Sequence, residues 1–273
     1  MSETPDRVQR ILVALDPAAP RSEIFTALAA LMDQPGVELR GLYVEDERLF
    51  RLASLPCARE VRVSVPGPRE LLTTDLEHDV REHATRVREA FETEARRLHI
   101  RHTFSVRRGD VLGVIQSEAT DTDLVVIGRS VRSAGSRTWH GVTVTRIVEH
   151  PKASMLFVNE PWDTGHCVAV LSDATKGSER SLRMGKQIAE REGLDLCVLV
   201  VPGEPEVPSL PTHAKQRMLS EIDNARLERL CLELDPRVLI LADSPAVHRH
   251  IDLVALIDAL PTSIIVVPCP AEG

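Results

Sequence analysis

The chain repeats one pattern of strand and helix signals, and this repeat limits its possible folds more than any other feature. Residues 10–44, RILVALDPAAPRSEIFTALAALMDQPGVELRGLYV, resemble residues 167–201, CVAVLSDATKGSERSLRMGKQIAEREGLDLCVLVV, in style. Each segment has a short apolar run, a turn that contains Asp, an amphipathic stretch and a second apolar run. Residues 121–130 and 151–161 correspond in the same way to residues 235–244 and 261–270. The sequence therefore predicts two copies of one fold in tandem.

The apolar runs are nearly continuous and do not alternate with polar residues, which is typical of strands that are buried on both faces. In the first half they predict strands at 10–15, 38–44, 102–107, 123–127 and 154–158. The stretches between them predict amphipathic helices over 21–34, 74–99 and 110–119, the last with Asp110 as its N-cap. Strands that alternate with helices indicate an α/β fold, in which helices cover a parallel sheet on both sides.

The second half of the chain is shorter than the first. Between the strands predicted at 196–201 and 238–242 there is room for one helix, over about 213–234, so we expect one strand and one helix to be missing. Pro161 and Gly165 interrupt any regular element near residue 163, which predicts domains of residues 1–162 and 163–273. Each half ends in an apolar strand, SMLFV or SIIVVP, and we expect these two edges to cover each other.

Composition and charge narrow the class of protein. The chain has 273 residues, 43% of them hydrophobic, and a formal net charge of -8. This acidic balance argues against nucleic acid or an anionic membrane as a partner, because surfaces that bind them are basic. No apolar stretch is long enough for a membrane span and the N-terminus is polar, so we expect a cytoplasmic protein without membrane insertion. Five scattered cysteines without a CxxC pair indicate reduced thiols.

Several motifs occur in the order and at the spacing of a known family. ILVALD opens the first half, GLYVED includes the end of its second strand, and RRGDVLGVIQSEATDTDLVVIG leads to a spaced Gly141. In these features the chain resembles the universal stress proteins, and in particular their tandem, two-domain bacterial type. The resemblance implies two flavodoxin-like domains, each a doubly wound parallel sheet of strand order 3-2-1-4-5, with the second domain shortened and degenerate. In such sheets, ligands bind outside the carboxyl ends of the strands where the order reverses.

The resemblance also implies where a nucleotide would bind. In the ATP-binding branch of the family, an Asp after strand 1 and a Val after strand 2 contact adenine and ribose. A motif of G-x-x-G, nine residues and G-[ST] holds the phosphates there. The candidate site for ATP or AMP, taken from these positions and their neighbours, consists of Ala14, Asp16, Val44, Ile127, Gly128, Arg129, Val131, Arg132, Gly141, Val142 and Thr143.

Half of the phosphate motif is present. Gly128 permits a sharp turn after its strand, and Gly141 stands at the start of a predicted helix whose free N–H groups favour an anion. Val131 replaces the second glycine and Val142 replaces the hydroxyl residue, whereas arginines at positions 129, 132 and 137 can pair with phosphate from their side chains. The loop is either a working phosphate site or the remnant of one, and the two valines favour the remnant.

Other polar residues carry weaker signals. Asp173 corresponds to Asp16 in the second half, but ADSPAVHRH follows the strand there without a glycine, so we expect no phosphate site. His248 and His250 have no third ligand at a fitting spacing, and we expect them to cap the last helix and not to bind metal. His140 is expected to be an exposed loop residue, with a place at the mouth of the crevice as the alternative. No nucleophile elbow or P-loop lysine is present, and we expect no catalytic residue.

These patterns predict a non-enzymatic stress-response protein that acts through protein partners and whose first domain senses an adenine nucleotide. A weak ATPase and an interaction scaffold without a small ligand remain as alternatives. We expect an intramolecular pseudo-dimer, with a further homodimer left open. The long segment 45–71 has an apolar face and is expected to pack on the second domain, although a lid over the crevice or a site for an apolar ligand would also fit.

Overall fold

A computed structural model of the chain describes residues 8–15, 21–32, 36–61, 67–128, 151–159, 161–202 and 214–269. The strands are β1 (Arg10–Leu15), β2 (Glu38–Asp46), β3 (Arg59–Glu60), β4 (Arg69–Glu70), β5 (Arg101–Gly109), β6 (Leu124–Gly128), β7 (Ser154–Val158), β8 (Cys167–Ser172), β9 (Asp195–Val200), β10 (Ala214–Met218), β11 (Pro236–Asp243) and β12 (Ser263–Pro268). The helices are α1 (Arg21–Leu31), α2 (Glu47–Ala53), α3 (Thr73–Arg97), α4 (Val111–Glu118), α5 (Lys176–Glu192), α6 (Asn224–Leu234), α7 (Pro245–His248) and α8 (Leu253–Ala259).

Ten of these strands form one sheet in the order β10-β9-β8-β11-β12-β7-β6-β1-β2-β5, and β3 and β4 form a separate hairpin. Within the first half the order is β5-β2-β1-β6-β7, and within the second it is β10-β9-β8-β11-β12. Both correspond to 3-2-1-4-5, and all neighbours within each half are parallel. The predicted flavodoxin-like α/β fold is therefore confirmed.

The two halves meet through their last strands. β12 pairs antiparallel with β7, with Ile264 opposite Phe157, so the two apolar edges cover each other as predicted. Beyond the end of β7, the backbone N–H of Asn159 donates a hydrogen bond to Ser263 Oγ at 2.9 Å. The amide group of Asn159 donates to the carbonyl oxygens of Leu260 and Pro261, which precede β12. Because Asn159 is buried, these bonds fix the junction between the halves without competition from water.

Helices cover both faces of the sheet. Residues that alternate along each strand point to opposite faces, so that Ile11 and Val13 join one core while Leu12 and Ala14 join the other. The first core contains α1, α3 and α5, and the second contains α4, α6, α7 and α8. The apolar stripe of α3 lies in the first core as predicted, and Asp110 caps α4 by accepting a hydrogen bond from the Gly113 N–H.

The second half differs from the prediction in its third strand. β10 is present and pairs parallel with β9, although we expected a strand to be missing. Its sequence, AKQRM, is largely polar, as suits a strand at the edge of the sheet. It therefore lacks the apolar run from which the other strands were predicted. The connection from Val200 to Ala214 is much shorter than the 25 residues of α3. It leaves no room in the second half for a helix as long as α3. The helix expected over 213–234 begins at Asn224.

Two further expectations need correction. His248 and His250 do not cap the last helix, because α8 begins after Asp252, whose side chain accepts the hydrogen bond from Ala255 N–H. The described part of segment 45–71 does not pack on the second half. It lies at the opposite end of the sheet, where α2 packs against α3 and the Arg108 guanidinium stacks over the Phe50 ring at 3.9 Å. The reason is that β2, which leads into α2, neighbours the outermost strand β5.

Gly165 is required by both conformation and space in the connection between β7 and β8. Its φ is 99°, and a Cβ at this position would lie 2.7 Å from Arg237 Cα. We expect Gly165→Ala to lower the free energy of unfolding by about 2 to 4 kcal/mol, since it adds a backbone clash to the cost of a positive φ. Urea denaturation followed by circular dichroism measures this loss.

Gly193→Ala is the matched control, because Gly193 has a φ of 65° and nothing within 4 Å of the added Cβ. That substitution tests the conformational cost alone, about 1 to 2 kcal/mol. Equal losses in the two variants would show that the close approach to Arg237 has no role.

The buried amide of Asn159 provides a second test of the junction between the halves. Asn159→Ala removes the donor for two carbonyl groups, and we expect it to lower the free energy of unfolding by about 1 to 3 kcal/mol. Asn224→Ala is the control, because Asn224 also makes two hydrogen bonds to backbone, with Asp252, but is only partly buried. Thermal or urea unfolding should show a smaller loss for the control, and a loss as large as that of Asn159→Ala would contradict this interpretation.

Candidate functional site

The strand order reverses at β1 in the first half, where β2 lies on one side and β6 on the other. Ala14 is paired with Leu42 of β2 and with Ile127 of β6, so these positions lie at one level near the carboxyl ends of the three strands. Gly128 ends β6 at the same edge. The side chains of Ala14 and Ile127 join the core beneath α4. The sheet therefore presents a small residue on β1 and a glycine on β6 at the point of reversal.

Val44 lies near the end of β2 and is buried in the same core as Ala14 and Ile127. The structure thus brings four of the candidate residues to one edge of the sheet: Ala14, Val44, Ile127 and Gly128. The other candidates lie outside the described residues, and so does His140: Asp16, Arg129, Val131, Arg132, Gly141, Val142 and Thr143. Asp16 directly follows β1 and Arg129 directly follows β6 in the sequence.

A group of charged side chains beside this edge was not predicted from the sequence. The guanidinium group of Arg48 lies 3.1 Å from the carboxylate of Asp46 and 3.5 Å from that of Asp110. These ion pairs link the start of α2 to the start of α4. Arg108 contacts Glu45 at 2.8 Å. These pairs join the ends of β2 and β5 and hold α2 against the sheet. The acidic run YVEDE at the end of β2 was the signal that could have indicated them.

The second half has a different arrangement at the equivalent point, between β8 and β11. Asp173 follows β8 and is buried. One of its carboxylate oxygens accepts hydrogen bonds from the backbone N–H and the hydroxyl group of Thr175, at 3.2 and 2.7 Å. The other accepts from the hydroxyl of Ser244, which follows β11 and caps α7. Both carboxylate oxygens of Asp173 are therefore used within the protein.

Close packing fills the remaining space at this point. Ser178 Oγ accepts a hydrogen bond from the Asp173 N–H at 3.1 Å and lies 3.2 Å from Ser172 Oγ. A Cβ added at Gly177, in the first turn of α5, would lie 3.1 Å from the Ala242 side chain and 3.3 Å from Cys269 Cα. The start of α5 therefore lies directly against β11 and the residue that follows β12.

No group of three or more His, Cys, Asp or Glu side chains in the described ranges is arranged to hold a metal ion. His248 contacts Asp243, and His78 lies 3.2 Å from Glu82 on an exposed face of α3. No helix among the described residues has the length and apolar character needed to cross a bilayer.

Comparison with known proteins shows similarity in structure only. No protein-family model matches the sequence, and no curated protein sequence matches it significantly. A universal stress protein from Archaeoglobus fulgidus superposes with a TM-score of 0.67 at 13% identity, over 98% of this chain and 99% of that chain. A functionally unknown protein from Pseudomonas aeruginosa superposes with a TM-score of 0.57 at 13% identity, over 97% and 94%.

The same architecture also occurs in a different setting. The cytoplasmic domain of a prokaryotic cation chloride cotransporter superposes with a TM-score of 0.50 at 11% identity, over 95% of each chain. Identities this low establish a shared fold and assign no function. The chain has the fold of the universal stress proteins over nearly its whole length, which confirms at the level of the fold the resemblance found in its sequence.

Proposed function

We propose that the chain is a non-enzymatic, cytoplasmic stress-response protein with one adenine-nucleotide site, in its first half, and that residues 1–162 and 163–273 are its two domains. ATP or AMP would bind outside the carboxyl ends of β1, β2 and β6, and the second half would serve as a structural partner. All five cysteines are free thiols, which fits a reducing compartment.

The difference between the two reversal points carries this proposal. In the second half, Asp173 is enclosed by Thr175 and Ser244, and the start of α5 is packed against β11. In the first half, the corresponding edge presents Ala14 and Gly128, the smallest side chains available, beside the reversal of strand order. Ligands of doubly wound sheets bind in such a crevice. This asymmetry supports the proposal of a single site in the first half.

The resemblance to the ATP-binding stress proteins supplies the roles of individual residues. Asp16 and Val44 would contact the ribose and the adenine. Gly128 and Gly141 would let the backbone approach the phosphates, with the N–H groups after Gly141 as donors. Arg129 and Arg132 would add positive charge near the phosphates. This charge would compensate for Val131 and Val142, which replace the glycine and the hydroxyl residue of the motif, and Thr143 follows Val142 directly. Ala14 and Ile127 would form the apolar floor of the crevice.

An interaction scaffold without a small ligand is the second candidate, and one observation favours it. Leu49, Leu52 and Leu55 expose 39, 52 and 50% of their surface on and just after α2, which is unusual for leucine side chains so close together. The cotransporter domain shows that this fold can be part of a larger assembly. A weak ATPase is the third candidate, and it shares the nucleotide site with the main proposal.

Calorimetric titration with ATP, AMP and tripolyphosphate separates these candidates. We expect ATP or AMP to bind, and we expect Asp16→Ala to weaken that binding at least about tenfold, or about 1.4 kcal/mol, because it removes the acceptor for the ribose or base. Asp173→Asn is the matched control. It changes the equivalent position of the second half but keeps an acceptor for Thr175 and a donor for Ser244, and it should bind nucleotide as the unchanged protein does.

Thermal unfolding gives an independent readout of the same interaction. A nucleotide at about one hundred times its dissociation constant adds about 2.7 kcal/mol to the stability of a single site, which raises the unfolding temperature by several degrees. An unfolding temperature that does not respond to ATP or AMP would overturn the sensor and the ATPase together and leave the scaffold. Release of inorganic phosphate from bound ATP would favour the ATPase instead, and binding of tripolyphosphate alone would refute the adenine site.

A further inference from the structure

Four leucine side chains are exposed to solvent at the outer end of the sheet in the first half. Leu49 and Leu52 lie one turn apart on the same side of α2, Leu55 follows that helix, and Leu72 directly precedes α3. They expose 39, 52, 50 and 48% of their surface, and we call them the leucine patch. A single exposed leucine is ordinary, whereas several close together are typical of a surface that another protein covers.

Backbone hydrogen bonds join the parts of the leucine patch into one surface. The Ala58 N–H donates to the carbonyl oxygen of Leu55 at 3.0 Å, and the Leu71 N–H donates to the carbonyl oxygen of Ala58 at 3.1 Å. Ala58 therefore connects the end of α2 to the start of α3, where Leu72 lies. α2 also packs directly against α3. The exposed leucines are thus neighbours on one strip of surface.

The inner side of α2 is already packed, so the leucine patch is not an unfinished part of the core. Ala53 is buried, and Phe50 packs against the core beneath the Arg108 guanidinium group, which stacks over its ring at 3.9 Å. Arg48 ties the start of α2 to Asp110, at 3.5 Å. A helix that is fixed in this way loses little conformational entropy when a partner binds to its outer side.

The charges around the leucine patch cancel, although the chain as a whole is acidic. Residues 45–72 contain equal numbers of each sign: Glu45, Asp46, Glu47, Glu60 and Glu70 against Arg48, Arg51, Arg59, Arg62 and Arg69. The net charge of -8 therefore belongs to the remainder of the chain. On α2, Arg51 pairs with Glu47 one turn away, and Arg69 lies 3.5 Å from Glu60 in the hairpin of β3 and β4.

This charge balance favours a second copy of the chain as the partner. A basic protein would be attracted to the acidic remainder of the chain, and residues 45–72 offer an acidic protein no excess of positive charge. Two acidic chains repel each other least where the local net charge is zero. A surface with leucines at its centre and both signs of charge at its rim is complementary to itself, as a two-fold interface requires.

We propose that two copies of the chain associate about a two-fold axis through the leucine patch, with α2 of one copy against α2 of the other. The second half of each chain then lies far from the axis, because the patch is at the opposite end of the sheet. This interface goes beyond the proposed function and does not depend on the nucleotide site, whose occupancy calorimetry measures separately.

Sedimentation equilibrium of the full chain tests the proposal over about 0.1 to 100 µM, the range expected of a small interface. We expect a reversible equilibrium between monomer and dimer. We expect Leu52→Glu to weaken dimerisation at least about hundredfold, because a two-fold interface buries the added carboxylate twice. Leu232→Glu is the matched control, since Leu232 lies outside the patch on α6 and exposes 73% of its surface. It should dimerise as the unchanged protein does.

Two outcomes would contradict this assignment. A monomer at every concentration would overturn the proposal and leave the leucine patch to a different protein. A dimer that Leu52→Glu does not weaken would show that the interface lies elsewhere on the chain. Circular dichroism confirms that both variants are folded, which is expected because both substitutions are at exposed positions.

The salt dependence of dimerisation distinguishes an apolar contact from an ionic one. We expect the dimer to be at least as stable at about 500 mM NaCl as at about 50 mM, because salt screens the repulsion between two acidic chains and leaves the contact between leucines intact. Sedimentation at the two salt concentrations measures this. A dimer that weakens at high salt would show that ion pairs hold it together, and the proposal would be wrong.

Cys57 allows the position of the interface to be measured. This exposed thiol lies four residues after α2, and a spin label on it should be less than about 40 Å from its copy, because packed helices lie about 8 to 10 Å apart. Ten strands at about 4.8 Å make the sheet roughly 43 Å wide, so contact through the β10 edge would separate the labels by about twice that distance. Double electron–electron resonance measures the separation, with Cys57→Ser as the control for labels at other cysteines. Labels more than about 60 Å apart would overturn the proposal.

Discussion

The antiparallel pairing of β7 with β12 is the interaction on which the rest of the structure depends. Each half alone would end in an apolar strand with unpaired N–H and C=O groups, an edge that invites association with other chains. Joined, the two halves form a sheet of ten strands whose remaining edges, β5 and β10, are partly polar. The buried amide of Asn159 reinforces the junction. The two cores can therefore extend without a break across both halves.

The carboxyl ends of the strands carry different residues in the two halves, although the strand order is the same. In the second half, a buried Asp173 and its hydroxyl donors close the reversal point, and the energy of those hydrogen bonds stabilises the fold. In the first half, the reversal point is bordered by Ala14 and Gly128, neither of which has a polar side chain. Because a buried carboxylate must be paired, the carboxylate of Asp173 is committed to the fold of the second half.

The sequence by itself determined the elements with a strong apolar signal. β1 and β7 lie at the residues predicted for them, and α3 follows the stripe of residues that repeats every three or four positions. The sequence did not indicate β10, because an edge strand that faces solvent needs no apolar run. The sequence also misplaced segment 45–71, because the neighbours of that segment are set by the strand order and not by its own residues. Tertiary structure alone decided the contacts between distant residues. Ser244 meets Asp173 across 71 positions of sequence, and Ala14 lies level with Ile127 only when β1 pairs with β6, because the register of a sheet is set by the packing of the whole fold.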